Sequence, residues 1–308
     1  MSLPSLTADL DYLRKLVREK SGIVLGEDKT YLVESRLLPV ARTNGFSGLG
    51  QMVAQMRNAT FGALHRAVID AMTTNETFFF RDVNPWEALA KNVLPEVLTR
   101  KAADKRLTIW CAAASTGQEP YTTLMVLRET FAARLQGWDV QFIATDLSND
   151  VLARAKSGLY SQLEVGRGLS APLLTKYFTA KDGLWQVKDD LRRMVQFKEQ
   201  NLLDGFGGLP VCDIIFMRNV LIYFDLDTKK QILARARKQL APQGYLFLGG
   251  AETTLNIDDN FERKPFERAG VYQLKAGSPC GSAVDTGIFK VVRPAMVNPM
   301  IQAAVVPK

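Results

Sequence analysis

The sequence predicts an α/β protein in which a doubly wound, largely parallel sheet is preceded by an all-α domain and interrupted by a small β insertion. Three patterns carry that prediction. From Leu107 onward, apolar runs of strand length alternate with amphipathic helical stretches, the arrangement that places helices on both faces of a parallel sheet. The first seventy-odd residues keep helical spacing. Between Tyr160 and Phe197 the rhythm breaks into short stretches of period two. A chain of 308 residues also has room for two compact units, since one core usually serves roughly 100 to 200 residues.

In the first part, Leu10, Leu13, Leu16 and Val17 lie on one helical face up to a Ser21-Gly22 stop, and a second helix runs from about Asp28 to Asn44-Gly45. A third carries Leu49, Met52, Val53 and Met56, and a fourth opens at Thr60 with Leu64, Val68, Ala71 and Met72 along one side. Residues 1–75 thus form a helical domain, and 76–84 a linker contributing to a ligand site. Asn84-Pro85 reads as an N-cap with proline in the first turn of a helix through Trp86, Leu89 and Val93. The domain 85–275 continues with a strand at Leu107–Ala113, a helix at Glu119–Leu135, a strand at Val140–Ala144 and a helix at Leu147–Lys156. It resumes with a strand at Asp213–Met217, a helix at Asp227–Leu240 and a strand at Tyr245–Leu248. Ligands of such a sheet belong at the carboxyl ends of its strands. Within the insertion, 158–197, a helical piece around Pro172–Phe178 precedes Gly183–Val187 and Arg193–Phe197, which alternate and predict a β-hairpin. Residues 276–308 contain Pro279, Pro294, Pro299 and Pro307 with no sustained period and read as a flexible tail.

Composition narrows the chemistry. Apolar content of 47% with 23% charged residues is ordinary for a globular chain, and no apolar run approaches the roughly 20 residues that cross a bilayer. The N-terminal MSLPSLTADLDYL lacks a basic stretch followed by an apolar core, which predicts a cytoplasmic protein. Cys111, Cys212 and Cys280 are widely spaced without a CxxC pattern, which disfavours disulfides and predicts no metal site. The sole histidine, His65, falls in a helical segment, so Ser-His-Asp, Cys-His and multi-His metal chemistry are disfavoured. A formal net charge of +7 favours an acidic partner without saying which. The densest basic run, Lys229, Lys230, Arg235, Arg237 and Lys238, lies on an amphipathic helix, where a solvated face is the commoner explanation.

Several loops stand out. Thr73–Asp82 places three consecutive phenylalanines between paired polar residues and an arginine, which suits a binding surface better than a buried or exposed strand, a core-anchoring linker being the alternative. The turn after the first strand, Ala113–Tyr121, has alanines where a dinucleotide site needs glycines to approach a pyrophosphate. It disfavours that cofactor class and tolerates a nucleoside without phosphate. Glu119 in the first helical turn would attract a cationic ligand, or simply offset the helix dipole. Asp146, at the end of the second strand, is placed to accept from two ribose hydroxyls or to cap the next helix. Asn201, after a third strand, is placed for a base edge or a turn. Arg218-Asn219 and then Val220–Asp225 follow the Asp213–Met217 strand and again mix polar and aromatic residues.

Taken in order, Thr-Asn-Glu-Thr-Phe-Phe-Phe-Arg-Asp, Ser-Thr-Gly-Gln-Glu-Pro-Tyr, Ala-Thr-Asp-Leu-Ser, Asn-Leu-Leu-Asp and Arg-Asn-Val-Leu-Ile-Tyr-Phe-Asp resemble the chemotaxis receptor methyltransferases of the CheR family, from about Leu10 to Leu274. The resemblance implies a class I S-adenosylmethionine-dependent methyltransferase with a Rossmann-like sheet, an N-terminal all-α domain and an inserted β-subdomain. It implies methylation of glutamate side chains on the cytoplasmic helices of chemoreceptors, with S-adenosylhomocysteine as the other product. By motif it assigns Asn75, Thr77, Arg81, Glu119, Asp146, Asn201, Leu202, Arg218 and Asn219 to the cofactor, and Arg81 and Tyr223 to catalysis. Arg36 and Arg42 become candidates for docking acidic receptor helices. Two departures are visible: Ala113-Ala114 replace the family's usual glycine-cysteine pair, and the loop between Phe178 and Gly183 is short, which argues against a receptor C-terminal pentapeptide as tether. The expected partner is therefore the chemoreceptor itself, bound by a monomer without nucleic acid or membrane insertion. A nucleic-acid methyltransferase would carry Asn/Asp-Pro-Pro-Tyr after the fourth strand, or a Pro-Cys nucleophile, whereas this chain has Arg218-Asn219-Val220-Leu221 and Val211-Cys212. A non-catalytic cofactor sensor would need neither Arg81 nor Tyr223.

Overall fold

The computed structural model describes residues 3–266 and 268–281. The chain divides into two compact units, one made of Met1–Thr74 with Tyr223–Lys229, the other of Asn75–Ile222 with Lys230–Lys308. Most of the segment read as a tail, residues 282–308, lies outside the described residues. Its first residues are anchored: Ser278 donates to the Asn260 carbonyl and Gly281 N–H to that of Leu240.

The first unit is helical, with α1 (Leu3–Ser21), α2 (Thr30–Thr43), α3 (Leu49–Arg57) and α4 (Ala63–Met72). Leu13, Val17, Met52, Val53, Val68 and Met72, whose spacing predicted their helices, interlock with Val33 and Leu37 of α2 as its core. His65 sits at the third position of α4, where its Nδ1 accepts the Gly62 N–H at 3.3 Å and so satisfies a helix-end donor. The histidine is a capping residue. The Tyr223–Lys229 segment joins this unit through the Val24 N–H to Tyr223 carbonyl bond (2.9 Å) and the Arg18–Asp225 pair (2.7 Å).

The second unit begins with α5 (Val83–Ala88), a π-turn at Leu89–Val93, and α6 (Leu94–Arg100). Pro95 accounts for the π-turn, because its ring has no N–H for the carbonyl four residues back and crowds it. The helix starts at Val83 behind Asp82, which stands at φ 59, so Asn84 lies inside it and is not the N-cap. There follow β1 (Arg106–Ala112), α7 (Gln118–Phe131), β2 (Asp139–Asp146), α8 (Asn149–Ser157), β3 (Leu159–Tyr160), α9 (Gln162–Gly166), α10 (Ala171–Tyr177), β4 (Phe178–Lys181), β5 (Leu184–Val187), α11 (Asp189–Arg192) and β6 (Val195–Glu199). The chain ends with β7 (Cys212–Met217), α12 (Leu226–Gln239), β8 (Leu240–Leu248), β9 (Phe261–Arg263) and β10 (Gly270–Leu274).

Seven strands form one sheet in the order β6-β2-β1-β7-β8-β10-β9, parallel except that β10 runs antiparallel to both β8 and β9. The second sheet, β3-β5-β4, is the insertion. Its hairpin corrects the sequence expectation. Leu184–Val187 pairs with Phe178–Lys181 through an Asp182-Gly183 turn with both residues at positive φ, whereas Val195–Glu199 lies parallel to β2 at the edge of the large sheet. The alternation of residue types at 193–197 belongs to an edge strand of the large sheet, a sequence pattern that a hairpin arm shares.

Candidate active site

The strand order reverses between β1 and β7, where an open sheet leaves a crevice beyond its carboxyl ends. The loop after β1 is compressed. Ala113 and Ser115 are left-handed at φ 61 and 50, and Gly117 stands at φ 97 where a Cβ would lie 2.9 Å from that of Ala155. The Ala114 N–H donates to the Thr145 carbonyl (2.8 Å) and the Tyr160 hydroxyl to the Thr116 carbonyl (2.7 Å), so neighbouring elements hold a turn that glycine would adopt unaided.

Asp146 ends β2 and binds that loop. Its Oδ2 accepts the Ser115 N–H (2.8 Å) and its Oδ1 the Ser148 N–H (3.1 Å), while Ser148 itself is the N-cap residue of α8. Burial pushes the Asp146 carboxyl above the usual carboxylate range, opposed by the backbone donors of Ser148, Ser115 and Leu147. A carboxylate offers about four lone-pair positions, so three backbone donors leave the Asp146 carboxylate room for a further hydrogen bond. The Ser115 hydroxyl donates to the Asn75 carbonyl (2.9 Å), which brings the start of the aromatic decapeptide to the same loop.

On the β7 side, Arg218 is buried. Its Nη1 donates to Glu119 Oε2 (2.5 Å), and its Nη2 to Asp82 Oδ2 (2.8 Å) and the Arg81 carbonyl (3.0 Å), with Trp86 beneath at 5.4 Å. Its buried Nε has no partner among the described residues. The Cys111 thiol donates to Glu119 Oε1 (3.3 Å); burial first, and then the Glu119 charge, keeps that thiol protonated. One guanidinium here faces two carboxylates, which leaves a net negative charge suited to a cationic ligand.

In the decapeptide, Phe79 is fully buried edge-on against Tyr160 (5.0 Å) and Phe178 (5.5 Å). Half-buried Phe78 lies under the guanidiniums of Arg167 (4.0 Å) and Arg81 (5.7 Å). Arg81 donates to the Glu76 carbonyl (2.8 Å) and Arg167 pairs with the Glu76 carboxylate (3.0 Å). Thr77, half-buried, lies between these anchors in sequence. Gly168, at φ 89, abuts Phe79 so closely that a Cβ would stand 1.9 Å from its carbonyl oxygen.

The other expected residues occupy separate places. Asn201 accepts the Leu203 N–H on its Oδ1 (3.0 Å), as turn chemistry requires, and buried Leu202 accepts from Arg235 at its carbonyl (3.1 Å). Asn219 follows β7 at φ 58, with its N–H on Glu252 (2.7 Å). Tyr223 is half-buried and belongs to the helical unit. Arg36 spends its guanidinium on the carbonyls of Met72 (3.1 Å) and Thr73 (2.9 Å) at the end of α4, whereas Arg42 is exposed in the last turn of α2. The structure therefore joins Arg81, Glu119 and Arg218 in one cluster, and Asn75 and Asp146 through Ser115. It adds Asp82, Arg167, Gly168 and Glu252, which the sequence reading did not single out. Glu252 had a visible signal, an acidic residue just beyond the end of a core strand.

Residues 75–269 match the family described as CheR methyltransferase, SAM binding domain, and residues 8–73 match CheR methyltransferase, all-alpha domain. The chain is 42% identical over 277 residues to Chemotaxis protein methyltransferase 1 of Pseudomonas aeruginosa, covering 89% of this chain and 100% of that protein. Chemotaxis protein methyltransferase Cher2 of Pseudomonas putida is 42% identical over 270 residues, 87% of this chain and 98% of its own length. Chemotaxis protein methyltransferase of Vibrio anguillarum is 41% identical over 265 residues, 85% and 94%. With an all-α domain ahead of an S-adenosylmethionine-binding sheet domain, the chain belongs to the CheR methyltransferase family.

Proposed function

We propose that this enzyme methylates glutamate side chains on the cytoplasmic helices of chemoreceptors, forming glutamate 5-O-methyl esters and S-adenosylhomocysteine. The observation that carries this reading is the Arg218 cluster, which fastens the Arg81 backbone to Glu119 at the switch point of the sheet. Three features fit S-adenosylmethionine: remaining acceptor capacity on buried Asp146 for a ribose hydroxyl, net negative charge around Glu119 and Asp82 for a cation, and an open donor on Arg218. Asn75, Thr77, Asn201, Leu202 and Asn219 would complete the lining. The cofactor supplies an electrophilic methyl on a sulfonium.

The chain's own residues then need only position the acceptor. A glutamate carboxylate, with a reference pKa of about 4.3, is ionised near neutrality and needs no general base. Arg81 and the Tyr223 hydroxyl orient it, and such alignment can supply roughly 7 to 11 kcal/mol of barrier reduction. Phe78 and Phe80 shield the site from water, while fully buried Phe79 supports them from the core. Of the two docking candidates on the helical domain, exposed Arg42 is the freer to meet an acidic helix, because the Arg36 guanidinium already donates to the Met72 and Thr73 carbonyls. The two-residue Asp182-Gly183 turn offers no extended loop to grip a receptor C-terminal pentapeptide, so we infer direct engagement of the receptor helices by a monomer.

Incubation with tritiated S-adenosylmethionine and either receptor membranes or nucleic acid tests this function. Base-labile label on receptor is expected. Label on DNA or RNA would favour a nucleic-acid methyltransferase, and binding without any transfer would favour a sensor.

A further inference from the structure

The Glu252 carboxylate accepts four backbone N–H groups. Its Oε2 takes those of Asn219 (2.7 Å) and Gly249 (2.7 Å), and its Oε1 those of Val220 (2.9 Å) and Ile222 (3.3 Å). An ionised carboxylate offers about four lone-pair positions and no donor, so these groups fill it. Glu252 is buried, 8% exposed, where such charge-assisted bonds count most. Three of the four donors lie in the run between Arg218 and Tyr223, whose only regular structure is a single 3-10 turn at Leu221–Tyr223. Asn219 stands at φ 58, in the left-handed region that asparagine enters more readily than most L-residues. Gly249 presses from beside it: a Cβ there would lie 2.6 Å from Asn219 Nδ2 and 2.9 Å from its backbone nitrogen.

We infer that Glu252 is a positioning residue for methyl transfer, fixing the backbone of 219–222, the segment that carries Asn219 and leads into Tyr223. The inference rests on the roles proposed above for those two residues. Glutamine at 252 would keep the size but turn one oxygen into an amide NH2 facing two N–H donors. Two bonds are lost and two donors opposed.

The test compares full-length wild type with Glu252→Gln by calorimetry against S-adenosylhomocysteine and by turnover on receptor membranes. The dissociation constant is expected to rise about tenfold and kcat to fall at least about tenfold, with the receptor KM within about twofold. In the double variant with Asn219→Ala, affinity should fall no further than in the weaker single, because both changes act through one contact. Wild-type affinity and kcat in folded Glu252→Gln would overturn the inference, as would additive losses in the double variant. If Glu252→Gln does not fold, hydrogen exchange on the wild type decides: protected amides at 219, 220 and 222 support the anchor, and exchange at solvent rates overturns it. A wild type that fails to bind adenosylhomocysteine would instead overturn the function proposed above, and no variant is needed to see that.

Discussion

At the scale of single residues, the site combines groups held by the fold with groups presented by it. Arg81 is held at its backbone by Arg218 and at its guanidinium by the Glu76 carbonyl, which leaves further donors for an acceptor carboxylate. Arg81→Ala and Tyr223→Phe should each lower kcat about 10²-fold, the usual loss for a donor that acts on transition-state charge, with adenosylhomocysteine affinity falling less for the tyrosine. Steady-state rates on receptor membranes with calorimetry alongside check both. Ala113 illustrates a different residue-scale effect, since it pays for a left-handed turn that glycine adopts freely. Ala113→Gly should raise stability by about 1 kcal/mol, read as a rise of roughly 2 to 4 °C in Tm. From sequence, those alanines showed only that no pyrophosphate is approached; the strain is a property of backbone angles that residue types do not encode.

Among elements, the β insertion is fastened to the aromatic decapeptide by the Arg167-Gly168 pair. Gly168→Ala would drive a methyl into the Phe79 carbonyl and force an unfavourable φ, so it should destabilise by about 2 kcal/mol or more, measurable by urea unfolding, and lower turnover with it. Helices α1 to α4 and strands β1, β2, β7 and β8 were legible because long periodic segments with a buried face leave a strong pattern. The exchange of partners around β5 and β6 was not, because period two says that a face is covered and not which strand covers it. Strands β9 and β10 went unread for a related reason: their runs are short and pair antiparallel at the sheet's edge. Arg81, Glu119 and Arg218, which the structure joins, lie in motifs that stand out in sequence, whereas Arg167 and Gly168 do not, since their contact with Phe78 and Phe79 spans a sequence gap that no local pattern bridges.

For the whole molecule, pH links the fold to ligand affinity. Burial raises the Asp146 pKa, and a protonated carboxyl loses acceptor strength toward a diol. Adenosylhomocysteine affinity should therefore fall as pH drops through that raised value, and Asp146→Asn should bind weakly with a flat profile, by calorimetry across acidic pH. The net charge of +7 works at the same scale, favouring an acidic receptor surface without specifying contacts, so receptor association should weaken with salt. The central claim is that the acceptor carboxylate reacts already ionised and merely positioned. The most direct test is the pH dependence of methyl transfer to receptor at saturating cofactor: the account predicts a rate nearly constant from about pH 6 to about pH 8, well above the acceptor's reference pKa of about 4.3. A rate that climbs about tenfold per pH unit across that interval would reveal a required general base and contradict it.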